Sequence, residues 1–303
     1  MSPIRTQWTR LIRFIAAETA QVHIGEPVDA KLDVVGLAIH QKKPVKAYEI
    51  VGSALDPSAQ VTKNVLTVRQ LLAPLAREEV KLVRCLGLNY EDHAAEANLA
   101  KPAYPVLFYK PVTSLIGPEV PVTIPQHVQP VEKHLPDYEV EFTIVIGKPA
   151  KNVSEADALD YVLAYTAGND ISFRYHQMAV SQWNFSKGYD NTTPIGPCLV
   201  AAHAIPDPQK VPLKTVVNGK TLQDGTTADQ IFNIRHTIAF LSQGTTLLPG
   251  SIIMTGTPKG VGFVKKPPVY LKDGDDMSIW IGNGIGTLVN PVVEERGNAK
   301  AKL

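Results

Sequence analysis

Asp137-Tyr138-Glu139-Val140-Glu141-Phe142-Thr143-Ile144-Val145-Ile146-Gly147 reads as an apolar, β-branched strand with carboxylates at its leading end. Side chains of a strand alternate between its faces, so Glu139 and Glu141 point to the same side as neighbours. Two adjacent carboxylates repel. A shared hard cation relieves that repulsion most simply, and oxygen ligands suit magnesium, manganese or calcium. From this strand alone, a solvent-facing acidic pair on a sheet edge competes with the metal reading. Asp170, in Ala164-Tyr165-Thr166-Ala167-Gly168-Asn169-Asp170-Ile171-Ser172, has an equally apolar setting and would close a three-carboxylate site. Taken alone, it is more simply a turn aspartate behind Gly168-Asn169.

Outward from this strand, the chain reads as β-dominated α+β. Val83 to Leu88 is strand-like and delivers Asn89-Tyr90 and a short helix over Glu91 to Glu96. Ser251 to Thr255, Met277 to Ile281 and Gly286 to Val289 are strands, with a turn at Lys272-Asp273-Gly274-Asp275 and a hairpin turn at Gly282 to Gly286. Eight prolines from Pro102 to Pro136 make that region loops and edge strands. One helix is expected from Ser154, where Ser154-Glu155-Ala156-Asp157 resembles a capping box and Ala158, Leu159, Val162 and Leu163 form its apolar face. Another runs from about Ile231 to Ser242, stopped by Gly244. Leu11 to Leu66 is a β-rich region that includes Val34 to Ile39 as a strand-like run. Leu71, Leu72, Leu75 and Ala76 suggest a connecting helix within Val68 to Glu79, limited by Pro74. The expected division is a small β-rich domain over 1–80 and a larger domain over 81–303, with Glu294 to Leu303 as a polar tail.

Composition removes several functional classes. The 303 residues carry 30 basic and 29 acidic side chains, a net charge of +1, so no global field draws nucleic acid or an anionic membrane. No apolar run approaches the roughly 20 residues that cross a bilayer. The first residues lack the apolar core of a secretion signal, which points to an intracellular, cytoplasmic protein. Cys85 and Cys198 lack metal or disulfide spacing and are expected to be buried thiols.

Other residues add candidate chemistry. His93 and Glu96 share a face if Glu91 to Glu96 is helical, and a carboxylate beside imidazole fixes its tautomer and strengthens it as a base. The same spacing is common on solvated surfaces. Lys187, in Trp183-Asn184-Phe185-Ser186-Lys187-Gly188-Tyr189-Asp190, would balance an enolate or carboxylate, and Lys110, Arg174 and Gln177 are further candidates for anion contacts. Each serves a structural role equally well. Met254-Thr255-Gly256-Thr257-Pro258-Lys259-Gly260-Val261-Gly262 places a hydroxyl and free amides after a strand, as an anion-binding concavity or an ordinary tight turn. Neither this segment nor Gly282-Asn283-Gly284-Ile285-Gly286 has a nucleotide-binding spacing.

The order of these segments resembles the fumarylacetoacetate hydrolase family. Gly87-Leu88-Asn89-Tyr90 with His93, Ala94 and Glu96 is similar to one family segment, and Tyr138-Glu139-Val140-Glu141 with Val145-Ile146-Gly147-Lys148 to its paired-glutamate strand. Asn169-Asp170-Ile171-Ser172, Lys187-Gly188-Tyr189-Asp190, the hairpin from Val217-Asn218-Gly219 to Asp224-Gly225, and Leu248-Pro249-Gly250 through Thr255-Gly256-Thr257-Pro258 continue it, over about residues 83 to 293. The resemblance implies a mixed β-roll catalytic domain and a homodimer. It implies Mg2+ or Mn2+, with Ca2+ possible in a crystal, on Glu139, Glu141 and Asp170. It further implies a His93–Glu96 dyad, Lys187 as electrostatic stabiliser, and Lys110, Arg174, Gln177 and Thr257 as substrate contacts.

Within the family, having the His–Glu pair together on one short segment is similar to the branch of acylpyruvases and oxaloacetate decarboxylases. It implies metal-dependent carbon–carbon cleavage of a small 2-oxo acid, by hydrolysis or decarboxylation. An isomerase or tautomerase of a 2-hydroxy-dienoate or 2-oxo acid, or a non-catalytic metal-binding member of the fold, are the alternatives. Phe173-Arg174-Tyr175-His176-Gln177 departs from the pattern, where relatives usually carry Ala before the Arg and Asp after it; its aromatic groups imply a pocket reshaped near the metal.

Overall fold

The structure, a computed structural model, describes residues 2–29 and 35–296. Its framework is an eleven-stranded sheet, a five-stranded sheet and a two-stranded ribbon. The strand Val140–Ile146 lies inside the large sheet, antiparallel to Val162–Asn169 on one side and Ile252–Met254 on the other. All seven of its residues are buried, so it is no edge strand. Burying an aliphatic or aromatic side chain of this kind stabilises by roughly 1.5–3 kcal/mol, and this apolar run is what holds its acidic end in the interior.

Strands Arg10–Ala16, Val22–Pro27, Lys46–Val51 and Gln60–Leu72 pair antiparallel in a closed ring, each with two of the others. Closure removes free edges. Arg10 and Leu11 extend beyond the ring to pair with Val200 and Leu199 of the strand Thr193–Ala201, which joins the ring to the large sheet. The five-stranded sheet contains the hairpin Pro212–Val217 and Lys220–Thr226, whose turn residues Asn218 and Gly219 both have positive φ.

Three sequence expectations are corrected. Val68 to Leu72 continues a strand, Gln60–Leu72, instead of opening a helix. Leu66, Val68 and Leu71 are buried there, with a register shift near Val68 that disguises the period of two. Val35–His40 is a helix, not a strand, with Val35 and Ala38 buried on one face; Val34 lies outside the described residues. After Ser154, the expected helix is a single 3-10 turn, Ala158–Tyr161, followed by the strand Val162–Asn169. The Ser154 hydroxyl does accept from the Asp157 amide, 3.2 Å away. Beyond it, the continuous apolar run is that of a strand covered on both faces, which periodicity alone does not separate from a buried helix.

Other expectations hold. The helix Ile234–Leu241 is capped by Asn233 at its start, and Glu91–Glu96 is helical. Cys85 and Cys198 are buried and form no disulfide. Among the described residues, no helix is long and apolar enough to cross a membrane. Glu294 ends the strand Gly286–Glu294, and residues 297–303 of the expected tail lie outside the described residues.

Candidate active site

Antiparallel pairing assembles the acidic centre. Val140 is opposite Asn169 and Glu141 opposite Gly168, and the Asp170 amide donates to the Glu139 carbonyl at 2.9 Å. Glu139, Glu141 and Asp170 thereby meet from two adjacent strand ends, with carboxylate oxygens within 4.8 Å of one another, all three side chains buried.

Three buried cations surround them. Lys187 Nζ lies 2.9 Å from Glu139 Oε2 and 2.6 Å from Asp170 Oδ2, while Lys110 Nζ lies 2.6 Å from Asp170 Oδ1. Arg174 Nη2 lies 2.6 Å from Glu139 Oε1 and 2.8 Å from Asp137 Oδ2. Burial raises the Glu139 pKa, but Lys187 and Arg174 outweigh it and hold that carboxyl well below its ordinary range. Glu141 has no such partner. Burial first, then the charges of Asp170 and Glu139, push its carboxyl well above the ordinary range. Its Oε2 accepts from the Gly256 amide at 2.6 Å, and its Oε1 is buried without a hydrogen-bond partner among the described residues. With Asp137 included, four carboxylates face three cations. An orphaned oxygen within a cluster of hard oxygen donors and an excess negative charge fit a divalent cation.

The Gly-rich turn after Ile252–Met254 does hold anions, and they are the protein's own carboxylates. Gly256 donates to Glu141, Gly260 to both oxygens of Glu96 at 2.9 and 2.8 Å, and Gly262 to Asp137 at 2.7 Å. Gly256 has φ +90°, and a side chain there would sit 2.7 Å from Asn89 Cβ. That conformation aims its N–H at Glu141 and is poorly open to other residues. Asn89 ties the two loops together by donating to the Thr255 carbonyl at 2.8 Å.

His93 Nδ1 lies 2.8 Å from Glu96 Oε1. A carboxylate only accepts, so Nδ1 carries the proton and Nε2 is left as the basic nitrogen. His93, Glu139, Arg174, Gln177, Lys187 and Thr257 line one cavity of about 640 Å³. Its other walls are largely apolar, notably Leu88, Leu99, Met178, Val180, Trp183 and Phe263.

Lys110 is not brought to the cavity. Its ammonium is fully buried behind Asp170, bonded also to the Thr192 carbonyl at 3.1 Å, so in place of the expected substrate contact it positions a carboxylate. The aromatic neighbours of Arg174 are also placed differently from expectation. Phe173 packs into a separate core against Tyr189, ring centroids 4.9 Å apart, and Tyr175 projects outward beside His134. Neither lines the cavity; beyond that segment, Met178 and Val180 do. Sequence reasoning missed Asp137, which accepts from Arg174 Nε at 2.9 Å and from the Gly262 and Phe263 amides. It also missed Gln223, whose hairpin position carried no chemical signal.

The chain is similar to known proteins over most of its length. A caffeoylpyruvate hydrolase of Neonothopanus nambi is 60% identical over 301 residues, covering 98% of this chain and 97% of the relative. The crystal structure of 2-hydroxyhepta-2,4-diene-1,7-dioate isomerase from Mycobacterium marinum is 35% identical with a TM-score of 0.77, covering 95% of this chain and all of that one. The structure of fumarylpyruvate hydrolase from Pseudomonas aeruginosa in complex with Mn2+ and pyruvate is 28% identical with a TM-score of 0.64, covering 75% and 93% of the two chains. Residues 82–293 match the family described as fumarylacetoacetate (FAA) hydrolase C-terminal. With the acidic triad and the histidine–glutamate pair both inside that match, the chain belongs to the fumarylacetoacetate hydrolase family.

Proposed function

We propose that this chain hydrolyses an acylpyruvate whose acyl group is bulky and apolar or aromatic. One observation carries the reading: a carboxylate-oriented histidine and Glu139, a member of the buried carboxylate triad, line one 640 Å³ cavity whose remaining walls are largely apolar. The polar end suits the 2-oxo acid and the apolar walls the acyl group. The caffeoylpyruvate hydrolase relative supports the aromatic choice.

Glu139, Glu141 and Asp170 would hold Mg2+ or Mn2+, which supplies a Lewis acid for the oxygens of a 2-oxo acid. His93 Nε2 removes a proton from water, whose oxygen bonds to the acyl carbonyl carbon. Glu96 compensates the imidazolium that results. The bond from that carbon to the methylene then breaks, leaving its electron pair on the pyruvate fragment as an enolate. Lys187, Arg174 and Thr257 would bind the anionic end. Protonation of the methylene carbon completes pyruvate, and the acyl group leaves as a carboxylate. Two smaller elements complete the proposal: a boundary near residue 80 between the N-terminal strand ring and the catalytic domain, and a homodimer formed through the latter.

The rival is isomerisation, which requires the enolate but no attacking water, as the Mycobacterium marinum structure's activity illustrates. Acetyl-, fumaryl- and aromatic acylpyruvates and oxaloacetate, each assayed with magnesium, manganese or calcium, should rank the aromatic substrate first by at least about 10-fold in kcat/KM, the scale of a well-filled apolar pocket. Tautomerisation of 2-oxo acids without release of pyruvate from any acylpyruvate would reject hydrolysis. Sedimentation should give twice the chain mass of 33.0 kDa; a monomer at micromolar concentration would reject the dimer.

A further inference from the structure

We infer that Gln223, which does not line the large cavity, sets the direction of the Thr257 hydroxyl and thereby makes it an obligatory donor to the carboxylate of a 2-oxo acid. The inference rests on the acylpyruvate reading of the cavity.

Gln223 is 1% exposed on the strand Lys220–Thr226. Its Oε1 lies 3.1 Å from the Val140 amide nitrogen and 2.7 Å from Thr215 Oγ1. A backbone N–H only donates, so the atom facing Val140 must be the amide oxygen, which fixes the orientation of the whole group. Nε2 therefore faces Thr257 Oγ1 at 2.8 Å and the Pro258 carbonyl at 2.9 Å. Both hydrogens and both lone pairs of the Gln223 amide are used.

Thr257 is the member of this network that borders the cavity. Since its oxygen accepts from Gln223, its own proton points elsewhere. Among the described residues, it donates that proton to no protein acceptor. A buried hydroxyl with a committed lone pair and a free proton suits a group that only accepts, and a carboxylate is such a group. Gln223 thus connects the triad's strand, through Val140, to the loop that carries Thr257. It acts on substrate through another residue and is a positioning residue.

A double-mutant cycle tests this. Gln223→Glu keeps an acceptor for Val140 and Thr215 but offers no amide hydrogen, so the Thr257 proton turns to it and oxygen lone pairs face the substrate carboxylate. Expected are increases of about 10-fold in KM for the best acylpyruvate and in the Kd of pyruvate measured with manganese present, with kcat changed by less than about threefold. Gln223→Met, which removes the donor without adding an acceptor, should give a smaller rise and serves the same cycle should Gln223→Glu fail to fold. In a Thr257→Val background, either Gln223 substitution should alter both constants by less than about twofold. Equal effects in the two backgrounds, or no effect in the parent, would overturn the inference and make Gln223 a purely structural link. Pyruvate affinity separates this failure from that of the functional reading: coupled loss of pyruvate binding in a chain that cleaves no acylpyruvate rejects hydrolysis and keeps Gln223 as positioner.

Discussion

Glu141→Gln is expected to lower acylpyruvate hydrolysis by about 10³-fold or more and to abolish tight manganese binding, while the metal-free protein stays at least as stable as the parent. The activity loss corresponds to roughly 4 kcal/mol of transition-state stabilisation, within the several kcal/mol that a Lewis acid supplies. Glu141 is the cleanest of the three carboxylates to change. Glu139 and Asp170 each balance buried cations, so Glu139→Ala or Asp170→Ala also takes one of its two carboxylates from Lys187, and one from Arg174 or Lys110 respectively, at a folding cost. Those two substitutions should abolish hydrolysis and decarboxylation alike. Glu141 instead satisfies only the Gly256 amide, which a glutamine oxygen can still do, and its other oxygen is buried without a hydrogen bond among the described residues. A neutral amide there relieves an unpaired charge beside Glu139 and Asp170. Calorimetric titration with manganese, thermal unfolding of the metal-free form and turnover on one preparation check the three parts. Unchanged manganese affinity would sink the assignment of Glu141 as a ligand.

Glu96→Gln is expected to depress hydrolysis by around 10²-fold, with any decarboxylation of oxaloacetate less affected. Loss of carbon dioxide needs an electron sink and later a proton, whereas acyl cleavage needs an activated water, and general-base assistance has about this magnitude. Glutamine can still accept from His93 Nδ1 and from Gly260, so the dyad keeps its bonds but loses the charge that compensates the imidazolium. Both reactions use the same protein, which controls for misfolding. If the two rates fall equally while stability and manganese affinity hold, the pair does not activate water, and it is reassigned to closing the cavity or positioning substrate.

The residues of this site were legible to different degrees. Glu139 and Glu141 stand out because carboxylates lead a β-branched run, and alternation makes them neighbours whatever the rest of the chain does. His93 and Glu96 need only one helical turn. Asp170 is harder: in isolation it is a turn residue, and only the family's order of segments tied it to the glutamates. Lys110 shows the limit of carrying a role by resemblance, because an ammonium near the site in sequence order sits behind Asp170 in space.

Local order therefore determined the β-dominated class, the glutamate pair, the dyad's spacing and the capped helix at Ile234, since each depends on contacts between residues a few positions apart. The tertiary structure decided what depends on partners far along the chain. It made Val162–Asn169 a strand because two neighbours cover it, kept Glu141 without a counter-charge, and gave the Gly-rich turn to Glu141, Glu96 and Asp137 as anions. It also joined Gln223 to Thr257, 34 residues away, through an amide whose orientation the Val140 backbone imposes. A side-chain amide has no period and no charge by which to announce itself, so its role emerges only once its donors and acceptors are in place.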